Sequence, residues 1–263
     1  MTAPPPSLQS VRSGAKQRIF VRIALVFTLL LAAGLLLHHD LWHRQQWNRL
    51  LTTDSTRVTQ DRKLTAFAIS EAKPLYMAHC SGCHAADMKG DRGKGAPNLA
   101  DPYWLFGDGS VFEIERTILY GIRSEHGKSR NVTDMPAFGL TGRLSAADTR
   151  NLAQYLLKLS GRPHDVQAAT EGRSVYFDVA KANCADCHGE TAQGNSNYGA
   201  PDLTIDVWHD GDDSRVFYDA IYSGQHRIMP GWIGTLSLAQ IRALAIYVYA
   251  ASHPAASQGV SPH

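Results

Sequence analysis

The sequence predicts an all-α chain in which one N-terminal transmembrane helix precedes two tandem helical domains. Three observations point there: an apolar run over residues 19–37, an internal repeat through most of the remainder, and apolar positions within each repeat that recur at helical spacing with no strand-like alternation. Bulk properties set the frame. Apolar residues make up 44% and charged residues 19% of the 263, the balance of a folded chain rather than a disordered one. A net charge of only +2 gives no case for a nucleic acid partner.

The first element is the anchor. Arg12, Lys16, Arg18 and Arg22 lead into the apolar run, and only Arg22 interrupts it. A helix rises about 1.5 Å per residue, so the run spans roughly 28 Å, close to the ~30 Å hydrocarbon core of a bilayer. Arg22 lies near the entry end, where its long side chain can reach the headgroups. Trp42 and Trp47 follow at interface depth. A cleaved signal peptide also joins a basic segment to an apolar one, but this run is longer than a typical signal core and no small-x-small site follows it. An uncleaved single-pass anchor is therefore expected. The basic flank places its N-terminus in the cytoplasm and exports the rest across a bacterial inner membrane into the periplasm.

Residues 49–72 are polar without a sustained period and read as a tether or short helix. Beyond them the chain repeats. Cys80 matches Cys184, Gly90 matches Gly194, and Gly95-Ala96-Pro97 matches Gly199-Ala200-Pro201, all offset by 104 residues. Leu99, Trp104, Gly107, Asp108 and Ser110 match Leu203, Trp208, Gly211, Asp212 and Ser214 at the same offset. Met135-Pro136 matches Met229-Pro230 at 94, so the first copy holds a ten-residue insertion after Gly121. Leu144, Ser145, Arg150 and Tyr155 match Leu236, Ser237, Arg242 and Tyr247 at 92. The resulting division is 1–47 for the N-terminus and anchor, 48–70 for a linker, 71–162 and 163–254 for two homologous domains, and 255–263 for a tail. Gly161-Arg162-Pro163, a helix-stop signal, marks the boundary between the domains.

Each domain reads as helical. One helix enters each Cys-x-x-Cys-His motif, a second covers 110–120 and 214–222, and a third covers 145–159 and 237–251. Leu152, Tyr155, Leu156 and Leu159 give the third its i, i+3, i+4, i+7 stripe.

All four cysteines lie in two such motifs, Cys80-Ser81-Gly82-Cys83-His84 and Cys184-Ala185-Asp186-Cys187-His188. This pattern is that of covalent haem c attachment: the thiols form thioethers to the porphyrin and the histidine ligates iron from the same turn. A thioredoxin-like pair would need a βαβ setting, and a four-cysteine zinc site would need the two repeats to share one ion although each is complete. The cofactors expected are two covalently bound haem c with iron held by His84 and His188. Met135 and Met229, repeated before the same helix, are the candidate sixth ligands, and thioether ligation raises the potential in a way that suits electron transfer. His126 and His226 are the rivals and would lower it. Pro97 and Pro201, each 13 residues past its histidine, are expected to turn a backbone carbonyl toward the imidazole N–H. No nucleophile or acid–base constellation is visible, so an electron carrier is expected rather than a catalyst.

The strings from Gly95 to Leu99, Asp101 to Gly107, Gly121 to Ser124, Met135 to Gly139 and Leu152 to Leu156 resemble the dihaem subunit (subunit III) of cbb-type haem–copper cytochrome c oxidases. The stretches from Gly199 to Gly211 and Met229 to Trp232 are similar to its second haem domain. The resemblance implies two class I cytochrome c domains, with Cys80, Cys83, His84 and Met135 holding the first haem and Cys184, Cys187, His188 and Met229 the second. It also implies electron transfer from a soluble cytochrome c to a monohaem cytochrome subunit and on to the haem–copper catalytic subunit. A free-standing anchored dihaem shuttle serving a dehydrogenase or other acceptors is the alternative class. A dihaem peroxidase would need an open or displaceable ligand.

Overall fold

A computed structural model describes residues 8–91, 94–130, 133–205 and 213–253. Trp208, His209, Gly211 and Asp212 of the second repeat, and the 255–263 tail, lie outside the described residues. The chain divides between Thr52 and Thr53 into two units.

The first unit is one helix, α1 (Leu8–Thr52). Its segment Ala24–Thr52 is long and apolar enough to cross a membrane. Leu25, Phe27, Leu30, Leu36 and Leu37 are exposed along it. Such surface is unfavourable in water and natural in lipid. The hydroxyl of Thr28, the polar group inside the run, donates to Leu25 O (2.9 Å), so it enters the apolar zone already satisfied. Past the run, His39, Trp42, His43 and Trp47 form a chain of ring contacts 5.9–6.4 Å apart. This is the amphipathic aromatic band expected at a bilayer surface.

In the second unit, much of the expected tether is helical. Asp54 caps α2 (Ser55–Val58) by accepting from Thr56 N, and Asp61 caps α3 (Arg62–His79) by accepting from Leu64 N. Leu64, Phe67, Ala68, Ala72 and Tyr76 then bury one face of α3. The period was hidden because two short breaks divide the helical stretches.

The remaining helices are α4 (Ser81–His84), α5 (Val111–Tyr120), α6 (Ala146–Leu159), α7 (Val166–Phe177), α8 (Cys184–His188), α9 (Asp213–Ser223) and α10 (Leu238–Ser252). Equivalent helices form for equivalent reasons. Ser145 and Asp148 make a capping box on α6, and Ser237 and Gln240 make one on α10. Among the described residues there are no strands, only isolated β-bridges.

The two repeats do not each close upon themselves. α10, from the second repeat, packs on α3 and α5 of the first, while α6, from the first, packs on α7 and α9 of the second. Tyr247 meets Tyr76 edge-on at 5.6 Å, and Tyr155 meets Tyr176 edge-on at 5.5 Å. Arg242 of α10 pairs with Glu115 of α5, and both side chains are largely buried. The core around α6 likewise joins Leu152, Tyr155 and Leu156 to Val175, Tyr176, Phe217 and Ile221. The half closed by α6 thus runs contiguously in sequence from about Met135 to Gly224, nested between the two segments of the other half.

The crossing points meet back to back. Ile122 and Met229 exchange two backbone hydrogen bonds (2.9 and 3.0 Å), and Met135 and Gln225 exchange two more (3.1 and 2.9 Å). The glycines just before these bridges have φ of +75° (Gly121) and +71° (Gly224). A Cβ on Gly121 would lie 2.3 Å from Met229 O, and one on Gly224 would lie 2.5 Å from Met135 O. Only glycine allows this approach.

Candidate haem-binding sites

Each attachment motif is a single helical turn. At the first, Cys80 N donates to Tyr76 O (2.8 Å) and His84 N to Cys80 O (2.9 Å), so α3 runs into α4 and presents Cys80, Cys83 and His84 together. At the second, Cys184, Cys187 and His188 lie on α8, which follows the turn around Asn183. All four thiols are free. Burial pushes Cys80 up to about 11 and Cys184 up to about 12. A redox-active pair needs a stabilised thiolate, so this environment opposes the thioredoxin-like reading.

The histidines are oriented by the expected loops. His84 Nδ1 lies 3.1 Å from Pro97 O and His188 Nδ1 lies 3.0 Å from Pro201 O. A proton on Nδ1 donated to the carbonyl leaves the Nε2 lone pair for a metal. Burial lowers the pKa of both rings, partly opposed by these backbone bonds, and so favours the neutral imidazole that ligation needs. The loops themselves are held alike: Gly90 N donates to His84 O (3.0 Å) and Leu99 N to Met88 O (2.7 Å), while Gly194 N donates to His188 O (2.9 Å) and Leu203 N to Ala192 O (2.8 Å).

The candidate methionines sit apart from the motifs of their own repeats. Met135 packs against the core that includes Tyr155 and Tyr176, and Cys184 and Ala185 of the second motif pack against the same core. Met229 is bonded to Ile122 at the end of α5, and the segment following it runs against the first repeat. There Trp232 N donates to Ile118 O (3.0 Å), and the Trp232 ring meets His79 edge-on at 5.0 Å. The fold therefore brings Met229 to the half carrying Cys80, Cys83 and His84, and Met135 to the half carrying Cys184, Cys187 and His188. The physical reason is the exchange of α6 and α10, each of which carries its preceding methionine with it.

Both rival histidines are engaged elsewhere. His126 stacks on Tyr120 (4.7 Å) and accepts from Lys128 N at Nδ1 (3.0 Å), while His226 Nδ1 lies 2.6 Å from Asp134 Oδ2. Two tyrosines escaped the sequence analysis. Tyr76 Oη donates to Ala85 O (2.8 Å) and Tyr176 Oη to Gly189 O (2.8 Å), each gripping the chain just past a motif histidine.

This donor set fits haem c twice over: paired free thiols and an imidazole oriented by a carbonyl. Trp104 Nε1 is buried without a protein hydrogen-bond partner among the described residues, a donor that a porphyrin propionate would satisfy.

Comparison with known proteins agrees with the chemistry. The family described as Cytochrome c matches residues 69–160, and that described as Cytochrome C oxidase, cbb3-type, subunit III matches residues 167–248. A cbb3-type cytochrome c oxidase subunit FixP from a Bradyrhizobium species is 37% identical over 76% of this chain and 67% of its own length. A subunit CcoP from Cereibacter sphaeroides is 34% identical over 78% and 68%, and one from Azospirillum brasilense is 36% identical over 76% and 68%.

Proposed function

We propose, because this chain belongs to the family of the cbb3-type cytochrome c oxidase subunits CcoP and FixP, that it receives electrons from a soluble cytochrome c and passes them through a monohaem cytochrome subunit toward the haem–copper catalytic subunit. It is a membrane-anchored dihaem electron-transfer subunit of such an oxidase, not the catalytic one. Two covalently bound haem c supply a reversible one-electron iron couple when in place. The observation that carries this reading is the doubled donor set on one compact unit.

The residues divide the work. Cys80 and Cys83, with Cys184 and Cys187, fix the porphyrins covalently. His84 and His188, oriented by the carbonyls of Pro97 and Pro201, would each ligate an iron. Met229 serves the first motif and Met135 the second. With an imidazole and a thioether both given to each iron, no place would remain for a substrate, and thioether ligation would hold the potential high. The repeats over 71–162 and 163–254 lie in the periplasm of a bacterial cell, with the basic N-terminus in the cytoplasm.

The test is purification in mild detergent from the native membrane. The chain should co-purify with haem b and copper, and its deletion should abolish cytochrome c-driven oxygen uptake by that complex. Isolation alone, with oxygen uptake intact in the deletion strain, would assign it instead as a free-standing shuttle.

A further inference from the structure

Arg123 stands one residue past the Ile122–Met229 bridge, at φ +51°, a left-handed conformation that a residue with a side chain adopts at a cost. Its side chain is mostly buried, at 17% exposure. Nη2 donates to Thr133 O (2.7 Å) and Nη1 to Arg227 O (3.2 Å). Thr133 precedes Met135 by two residues, and Arg227 precedes Met229 by two. Nε lies 2.7 Å from Asp134 Oδ1, an ion-pair distance without the alignment of a hydrogen bond. The other oxygen of Asp134 faces His226 Nδ1. His226 follows Gly224-Gln225 as Arg123 follows Gly121-Ile122, so the equivalent positions of the two crossings converge on one carboxylate.

We infer that Arg123 is a positioning residue for both methionines, a single fork that sets the two ligand loops relative to each other. The inference rests on the reading of Met135 and Met229 as axial ligands. The rigid planar fork is suited to holding two carbonyls at once, which a lysine ammonium on a flexible stem does less well. Because both loops share this fork and the back-to-back bridges beside it, loosening it releases both ligands together. Neither haem's ligation is then independent of the other's.

The test uses the full-length, haem-loaded protein in detergent. Arg123→Met removes the donors while keeping much of the bulk, Arg123→Lys keeps the charge without the fork, and Met135→His and Met229→His serve as single-site references. The readouts are the ferric thioether-to-iron charge-transfer band, the ring-shifted methionine methyl resonance of each ferrous haem, and the two midpoint potentials. Arg123→Met should weaken the band, broaden or shift both methyl resonances and lower both potentials, with Arg123→Lys intermediate. Each Met→His variant should remove only one resonance. A lower melting temperature for Arg123→Met with both resonances and potentials unmoved would reduce Arg123 to a structural role and overturn the inference. A change confined to one haem would overturn it as well. If Arg123→Met does not accumulate, an Arg123→Lys protein with both resonances of wild-type shape and position would overturn it. Retention of both resonances in the Met→His variants would instead sink the ligand reading, an outcome distinct from any failure at Arg123.

Discussion

Tyr176 reaches from α7 to hold the carbonyl of Gly189, and Tyr76 does the same from α3 for Ala85. Burial raises the pKa of both phenols, so each remains a neutral donor at physiological pH. Tyr176→Phe leaves a backbone acceptor without its partner and should cost about 1–2 kcal/mol in denaturant unfolding. His188 ligation should persist, because its own carbonyl contact comes from Pro201. A second substitution tests the crossed ligand sets. Met135→His should lower the potential of the haem on Cys184 and Cys187 and leave that on Cys80 and Cys83 in place, as potentiometric titration with haem-resolved resonances would show. The two Cys-x-x-Cys-His motifs were legible in the sequence because they recur at one offset in a pattern specific to haem c. The tyrosines were not: Tyr176 is offset from Tyr76 by 100 residues rather than 104, since a turn through Asp178 and Asn183 separates α7 from α8. Nothing at Arg123 distinguished it from any surface arginine before two distant loops were seen to meet on it.

Helices α6 and α10 begin with matching capping boxes, and the stripe of α6 was readable from spacing alone. Their destinations were not, because homologous helices carry nearly interchangeable faces. One ionic contact ties α6 to its exchanged partner. Lys181 Nζ lies 2.8 Å from Asp148 Oδ1, joining the first turn of α6 to the loop before Cys184. The Lys181 contact is the main cause that lowers the pKa of Asp148, with help from Ser145. A depressed carboxylate stabilises the fold above its unfolded pKa and loses that contribution as pH falls through the folded value. Lys181→Met should therefore lower stability near neutrality, by a small amount because the pair is partly exposed, and the difference from the parent protein should fade as pH falls through the folded value of Asp148. The crossing turns give a sharper test. Gly224→Ala adds a methyl against Met135 O at positive φ, a strain of order 1–3 kcal/mol. It should weaken the thioether band of the haem on Cys184 and Cys187 before it affects the other.

At the scale of the molecule, the repeat made two haem modules legible, but not the interlacing, because the same helices could close on their own repeat or on the other. The nested arrangement changes which fragment is a folding unit. A fragment covering 133–224 holds α6, α7, α8 and α9, and is expected to fold and attach one haem when expressed alone, with its methionine ligation weakened by loss of the Arg123 fork. A fragment covering 163–254 follows the repeat boundaries but lacks α6, so it leaves Val175 and Tyr176 uncovered and should show no stable thioether band. Absorbance spectra and melting curves of the two would decide the matter. The nesting also imposes an order in time. A chain made from its N-terminus delivers Cys80, Cys83 and His84 early, yet α10 and Met229 come last. Met135 and α6, by contrast, are made before the motif they cover. The first site must wait open, accessible to the haem-attachment machinery, while the whole of the second is being made, and the last helix to appear latches it.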